Sequence, residues 1–408
     1  MTGWGRRMRK SVLRAAVALG LVVTLAGCQP WVQSGAGQGR TGWVEFEGRL
    51  RSDTVHLLEL TWEAATFGTN ANAPVIVDGV VYITTESARV TAFDAVTGDT
   101  RWERDFYDGR VGAAPHFGDP AWHAGELLVP AGFQGAGGLL RLDAADGSTV
   151  GGSLDGEATI AVSVADGQAA PLAGTLSASG VGLAHIDWKF RPTAVFAPGF
   201  GIGPDFAVVG ERVMWSQATR AQGFSAACPP NPTAPGCGPD WSTDLGAHPS
   251  TPAAVGDDGV VYADAGGTVT VLEAASGAIR WTGALGAPGT APAVAGDTIL
   301  VATSDGRLVA YAAGGCGEST CEPLWQGTLE TGTSIAPAVG GDVAYVATSG
   351  RKIAAFSLDG CGADTCAPLT TVGPVSAGNL RSLAVSDGVL IASADDGWIS
   401  AFGVPRQT

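Results

Sequence analysis

The sequence predicts an all-β fold: a β-propeller of eight four-stranded blades, with seven as the alternative count. Three observations predict it. A phrase recurs along the chain at intervals of about 40 to 47 residues, the period of four-stranded blades in a radial array. Within each unit, apolar runs of four to six residues are split by Asp-Gly or Gly-Asp. These dipeptides accept the positive φ of hairpin turns. Glycine supplies 61 of the 408 residues, and no long stretch carries the 3.6-residue period of an amphipathic helix.

The chain opens with Arg6, Arg7, Arg9, Lys10 and Arg14, then an apolar stretch from Ala15 to Leu25. That stretch is shorter than the roughly 20 apolar residues that span a bilayer. A basic start, a short apolar run and small residues describe an export signal. Leu25-Ala26-Gly27-Cys28 resembles the bacterial lipobox, in which the thiol receives a diacylglyceryl group and cleavage leaves the cysteine at the new N-terminus. Two or more acyl chains anchor stably where one does not. Four segments are therefore expected: a lipoprotein signal peptide over 1–27, a lipidated N-terminus and linker over 28–56, the propeller over 57–403 and a tail over 404–408. The mature protein is expected to be exported and tethered by Cys28 to the outer face of the cell membrane, or to another envelope membrane. No later segment holds 18 uninterrupted apolar residues.

The full chain has 23 Lys and Arg against 39 Asp and Glu. Removing the five basic residues of the signal leaves 18 against 39, a net charge of −21. That excess argues against nucleic acid, which needs a basic footprint, and against docking on an anionic lipid surface through the domain itself. Self-repulsion instead favours a soluble, monomeric propeller.

Of seven cysteines, six fall in close pairs: Cys228 with Cys237, Cys316 with Cys321, and Cys361 with Cys366. In an exported chain such pairs read as disulfides, and lipidation accounts for the seventh. Zinc is the rival reading, but the five histidines are scattered and no pair has an adjoining ligand cluster.

The repeated phrase is clearest at Ala73-Pro74-Val75-Ile76-Val77-Asp78-Gly79-Val80-Val81-Tyr82-Ile83. It returns from Thr251-Pro252, Ala291-Pro292 and Ala336-Pro337, with fragments at Ala114-Pro115 and from Leu383 to Ile391. Unit starts lie near 72, 113, 160, 203, 250, 290, 335 and 380. The third and fourth units are degenerate, marked by Asp166-Gly167 with Trp188 and by Val208 to Trp215 with Trp241. The last unit stops at Phe402-Gly403, one strand short, and Leu57 to Glu63 looks like its missing final strand. Pairing the two would remove two open sheet edges.

Some units end in Ala-x-Asp-x-x-Thr-Gly-x-x-x-Trp, present as Ala92, Asp94, Thr97, Gly98 and Trp102. This phrase resembles the repeat of the pyrroloquinoline-quinone-type propellers, over roughly residues 57 to 403. That family includes quinoprotein alcohol dehydrogenases and BamB-like bacterial lipoproteins, and the stretch from Trp31 to Glu63 looks like the lead-in of bacterial members. In the family the Trp indole docks between blades against the peptide of the Thr-Gly turn. The resemblance thus implies that Trp62, Trp102, Trp281 and Trp325 are blade-docking residues, with Trp188 and Trp241 beside them. Aromatic anchors of this kind belong to packing.

An enzyme needs a constellation. The resemblance implies, for a dehydrogenase, a disulfide between adjacent cysteines, a calcium held by acidic and amide side chains, and a catalytic aspartate. This chain has no Cys-Cys dipeptide and no calcium ligands at matching positions. His56, His116, His123, His185 and His248 are isolated, although His116 and His123 could be read as a ligand pair seven residues apart. Asp143 to Asp146 fails the EF-hand register, and Gly201-Ile202-Gly203-Pro204 lacks the lysine of a phosphate loop. No catalytic residue is therefore assigned. Two segments look suited to interaction: Ala194 to Gly203, rich in Phe, Pro and Gly, and the long loop from Phe224 to Trp241. The expected function is a non-catalytic envelope lipoprotein that holds a protein partner and needs no cofactor. The alternatives are a dehydrogenase using pyrroloquinoline quinone with calcium, and a glycan- or peptide-binding receptor.

Overall fold

The computed structural model describes residues 29–405 apart from 38–39, 107–115, 134–135, 157, 164–171, 178–179, 187–191, 200–205, 210–211, 218, 226–238, 250–252, 257–258 and 376–377; between 153 and 205 it describes strand backbone. Among these residues the chain forms eight β-sheets, seven with a core of four antiparallel strands in sequence order and one in which three such strands are completed by the N-terminal strand. We number them as blades one to eight in chain order. They cover 75–105, 116–156, 158–199, 206–244, 254–284, 293–328, 338–372 and 380–403, the last completed by residues 59–65. The sheets begin close to the unit starts read from the repeat.

The inner strands are buried on both faces because each blade packs against two neighbours. Val75–Val77 and Val80–Thr84 of blade one are buried throughout. This explains why they read as continuous apolar runs rather than an in-out alternation. Between them, Asp78 and Gly79 both take positive φ, 50° and 71°, as a two-residue hairpin turn requires.

The ends of the chain meet in one sheet. Glu59–Ala65 pairs antiparallel with Trp398–Gly403, from Glu59 opposite Gly403 to Ala65 opposite Trp398. The N-terminal strand thus completes the C-terminal blade. One hydrophobic cluster joins blade eight to blades seven and one, through Leu390 and Ile391, Tyr345, and Ile76 and Phe93.

Two features lie beyond the four-strand plan. Thr320–Cys321 adds a fifth strand, parallel, to the outer edge of blade five, although it belongs to the connection inside blade six. Thr365–Cys366 does the same for blade six from blade seven. Residues expected as linker also pair with the sheets: Trp43–Val44 runs parallel to the inner strand of blade seven, opposite Val339 and Gly340.

Alternation of the strands defines two faces. On one, the turn after the third strand bonds to the turn after the first: Ala95 N–H to Gly79 O, 3.0 Å, and Leu358 N–H to Asp342 O, 2.9 Å. We call this the hairpin face. On the other, the end of the fourth strand bonds to the turn after the second: Leu285 N–H to Gly267 O, 2.7 Å, and Leu329 N–H to Gly306 O, 2.9 Å. We call this the opposite face.

Candidate functional site: a stoppered central funnel

The residues before the first complete strand organise the propeller axis. Trp31 exchanges two backbone hydrogen bonds with Ile76 of blade one, both 2.9 Å. Val32 O accepts Trp122 N–H of blade two at 2.8 Å, and Thr41 O accepts Val294 N–H of blade six at 2.7 Å. Arg40 takes φ 49° and its Nε donates to Phe206 O of blade four at 2.7 Å. Glu47, 5% exposed, accepts backbone N–H groups from Arg49, Leu50 and Gly388 at 3.0, 3.4 and 3.1 Å. Gly388 lies in blade eight. A single segment therefore touches blades one, two, four, six, seven and eight, supplying partners to inner-edge backbone groups that an empty channel would leave to water.

This segment stoppers the channel from the hairpin face. It pairs with the middle of the inner strands at Ile76, Val294 and Val339 and reaches the hairpin turn of blade seven, where Gly341 N–H donates to Val44 O at 2.8 Å. A cavity of about 610 Å³ remains on the opposite side. Trp31, Arg40 and Gly42 form its floor, and the approaches to the inner strands form its walls, including Asn72, Asp119, Thr290, Thr333 and Arg381. Its volume falls in the range of about 300–1,000 Å³ typical of small-molecule sites.

Three polar side chains of this funnel already serve the fold. Asp119 Oδ1 accepts Ala73 N–H at 2.9 Å. Arg381 pairs with Glu86 at 3.3 Å. Asn72 is buried and its amide donates to Thr84 Oγ1 at 2.9 Å and to Phe117 O at 2.7 Å, tying blade one to blade two. The site offers hydroxyls, backbone groups and two guanidinium groups, which suit recognition. A quinone held by calcium needs several convergent carboxylate or amide oxygens. Among the described residues no three His, Cys, Asp or Glu side chains are grouped to hold a metal. Asp119, the one carboxylate among the described residues that line the funnel, accepts the Ala73 N–H. The described residues do not fit that group.

The tryptophans occupy blade seams. Trp62 Nε1 donates to Ala95 O and Trp102 Nε1 to Ala144 O, each at 3.0 Å. Trp241 donates to Ala274 O at 3.1 Å and Trp325 to Leu358 O at 3.3 Å. In each case the acceptor lies in the following blade. Each ring also covers the glycine of that turn. A Cβ on Gly98 would sit 2.7 Å from Trp62, and one on Gly147 would sit 2.5 Å from Trp102. Trp281 covers Gly315 in the same way, but its indole N–H finds no acceptor among the described residues. The turn it meets is the cystine turn of blade six; Trp325 meets the matching turn of blade seven and does bond there.

Cys316 and Cys321 form a disulfide, as do Cys361 and Cys366. Cys28, Trp188 and the pair Cys228 and Cys237 lie outside the described residues. His116 and His123 are held apart. They sit opposite Gly132 and Glu126 of one strand, about 20 Å along it at 3.3 Å per residue. Asp143 and Asp146 are turn residues, accepting N–H of Ala145 and Ser148 at 2.8 and 2.7 Å. The segment from Ala194 singled out for interaction is strand as far as Gly199, within Pro192–Gly199, the outer strand of blade three, while 200–203 and residues 226–238 of the loop from Phe224 lie outside the described residues. The Thr-Ala-Val-Phe core of that strand favours a pleated strand over the looping tendency of its Pro and Gly. The N-terminal stopper was missed because it carries no repeat. Its available signal was the concentration of Trp31, Arg40 and Trp43 in a stretch assigned as linker.

Eight four-stranded sheets, with a tryptophan on a glycine turn at five of the seams among the described residues, define a β-propeller of the pyrroloquinoline-quinone repeat type. The family described as outer membrane protein assembly factor BamB matches residues 36–181 and 211–362, and the chain belongs to it. No curated protein matches the sequence. Among solved structures, BamB from Moraxella catarrhalis is similar, with TM-score 0.59 and 15% identity over 86% of this chain and 99% of that one. The quinohemoprotein alcohol dehydrogenase of Comamonas testosteroni gives TM-score 0.67 and 13% identity over 93% and 81%. A computationally designed protein, Ika8, gives TM-score 0.65 and 13% identity over 83% and 98%. At such identities these likenesses describe the fold. No helix among the described residues is long and apolar enough to cross a membrane.

Proposed function

We propose that this chain is a non-catalytic lipoprotein of the bacterial cell envelope, tethered through lipid on Cys28, whose propeller holds a protein partner. The observation that carries this reading is the stoppered axis. The chain's own N-terminal segment fills the channel from one face, and Asn72, Asp119 and Arg381 of the remaining funnel are bound across blade seams. Membership of the BamB family supports an envelope role. The lipobox-like Leu25-Ala26-Gly27-Cys28 supports the anchor. Outer-membrane assembly itself is not carried over to this chain.

The second reading is a quinoprotein-type dehydrogenase, favoured by the likeness to the Comamonas testosteroni enzyme. The donor set of the funnel speaks against it. The deciding experiment titrates the chain from residue 29 with pyrroloquinoline quinone and calcium, followed by absorbance and calorimetry. Dye reduction is then assayed over a panel of alcohols and aldoses. The scaffold reading expects neither saturable binding nor turnover, and cross-linking in native membranes then identifies the partner. Stoichiometric binding with turnover overturns it.

A further inference from the structure

We propose that the hairpin face lies against the lipid headgroup layer, so that the funnel opens away from the membrane. This rests on the reading of Cys28 as the lipidated residue. The first observation is where the tether leaves the fold. Gln29 O accepts Ser386 Oγ at 2.8 Å. Ser386 ends the inner strand of blade eight, immediately before the hairpin turn at Asp387 and Gly388. Gln29 N–H also reaches Phe46 O at 3.3 Å, and Glu45 N–H donates to the Gln29 side chain at 3.0 Å. Gln29 is therefore held at the hairpin face by three contacts. Cys28 is the next residue in the sequence, one Cα–Cα step of about 3.8 Å away. A tether with no spacer leaves the propeller no room to turn its other face to the lipid.

The second observation is independent of the tether. Val96, Val150, Ile279, Leu324 and Leu369 are exposed, and all lie in the turn after a third strand or in the first residues beyond it. Phe46, 54% exposed, stands beside Gln29. Leu57 and Leu60, also exposed, flank the start of the strand that completes blade eight. The other two exposed large hydrophobics among the described residues, Phe67 and Trp398, belong to the opposite face. Eight of the ten exposed large hydrophobics among the described residues thus ring one face of the propeller, and the tether selects lipid as what meets them. The acidic surface adds no attraction to anionic headgroups, so the acyl chains hold the domain in place and the rim sets its orientation.

Hydrogen exchange on the full lipidated chain in vesicles of phosphatidylethanolamine and phosphatidylglycerol tests this. The Cys28→Ala form free in buffer is the reference, and intact mass of the same sample reads the acyl chains. Amides of 94–99, 274–279, 316–324 and 360–369 should exchange about threefold or more slowly on vesicles. Those of 85–88, 264–267, 303–306 and 348–351 should not change. Acyl chains present with the second set protected, or with neither set protected, overturn the orientation alone. A mass without acyl chains overturns the lipidation reading and the orientation together.

Discussion

Trp62 donates its indole N–H to the carbonyl of Ala95 at 3.0 Å. The two residues lie in the strand that completes the last blade and in the first blade respectively, so this seam joins the two ends of the propeller. The ring also lies near Phe93, with centroids 6.0 Å apart, inside the cluster shared by blades seven, eight and one. Trp62→Ala removes both the bond and the buried ring and should cost about 3–5 kcal/mol. Trp62→Phe keeps most of the packing and should cost about 1 kcal/mol for the bond. Urea unfolding midpoints of the two variants would separate the terms, and equal losses would show that the ring contributes nothing beyond its hydrogen bond.

Gly98 faces the same ring. Its φ is 76°, and a Cβ there would lie 2.7 Å from the Trp62 ring. Gly98→Ala should therefore destabilise the seam through both strain and displacement of the indole. Because the residues share one contact, the double variant with Trp62→Ala should lose less than the sum of the singles. A double-mutant cycle checks this, and strict additivity would mean that glycine is required for its backbone conformation alone.

Glu47 is the acceptor at the centre of the stopper. Glu47→Ala leaves the N–H groups of Arg49, Leu50 and Gly388 without their carboxylate. The expected cost is about 1–3 kcal/mol. Hydrogen exchange should quicken at Gly388 and along 45–50, while blades four and five stay protected. A uniform loss across all blades would instead place the stopper within the global folding unit.

The cystine turns should be stabilising locally. Each loop closes over a sequence separation of five, for which the chain-entropy model gives about 2 kcal/mol. Replacing Cys316 and Cys321 by Ser should also loosen Thr320–Cys321 from the edge of blade five, where Thr282 and Gly283 are its partners. The readout is faster exchange in blade five as well as blade six. A change confined to blade six would show that the added strand carries no coupling.

Asp94 sets a pH dependence at the first Thr-Gly turn. The Arg101 guanidinium, bonded at 2.8 Å, holds its carboxyl at about 2, and the N–H groups of Thr97 and Val96 add to the effect. A carboxyl depressed by folding stabilises the native state above its ordinary value of 3.8. That contribution is lost as pH falls from there to about 2. Asp94→Asn should therefore be less stable at neutral pH, by no more than about 1 kcal/mol for so exposed a pair. The gap to the parent should shrink as pH approaches 2. Thermal midpoints across that range test it, and a gap that widens in acid would reverse the assignment.

The repeat carried most of the fold in plain view. Ala73 to Ile83 and its copies encode apolar runs and hairpin turns within a few residues of one another, so local pattern alone places the inner strands. The final strand at Leu57 to Glu63 was legible for the same reason: it matches what the last unit lacks. Features that depend on neighbours distant in sequence were not legible. Trp31, Arg40 and Glu47 look like linker because their partners, Ile76, Phe206 and Gly388, are assembled only when the blades come round the axis. The fifth strands at Cys321 and Cys366 are too short to announce themselves, and exist because a preceding blade offers an open edge.

By itself, then, the sequence determined the blade, its turns and the order in which blades succeed one another, because each of these depends on residues within hydrogen-bonding reach along the chain. The tertiary structure alone decided that the N-terminal segment stoppers the channel, that the funnel opens on one face, and that the residue after Cys28 is held on the other. Those relations depend on which inner edges meet around a common axis, and backbone groups brought together across hundreds of residues leave no local pattern to read.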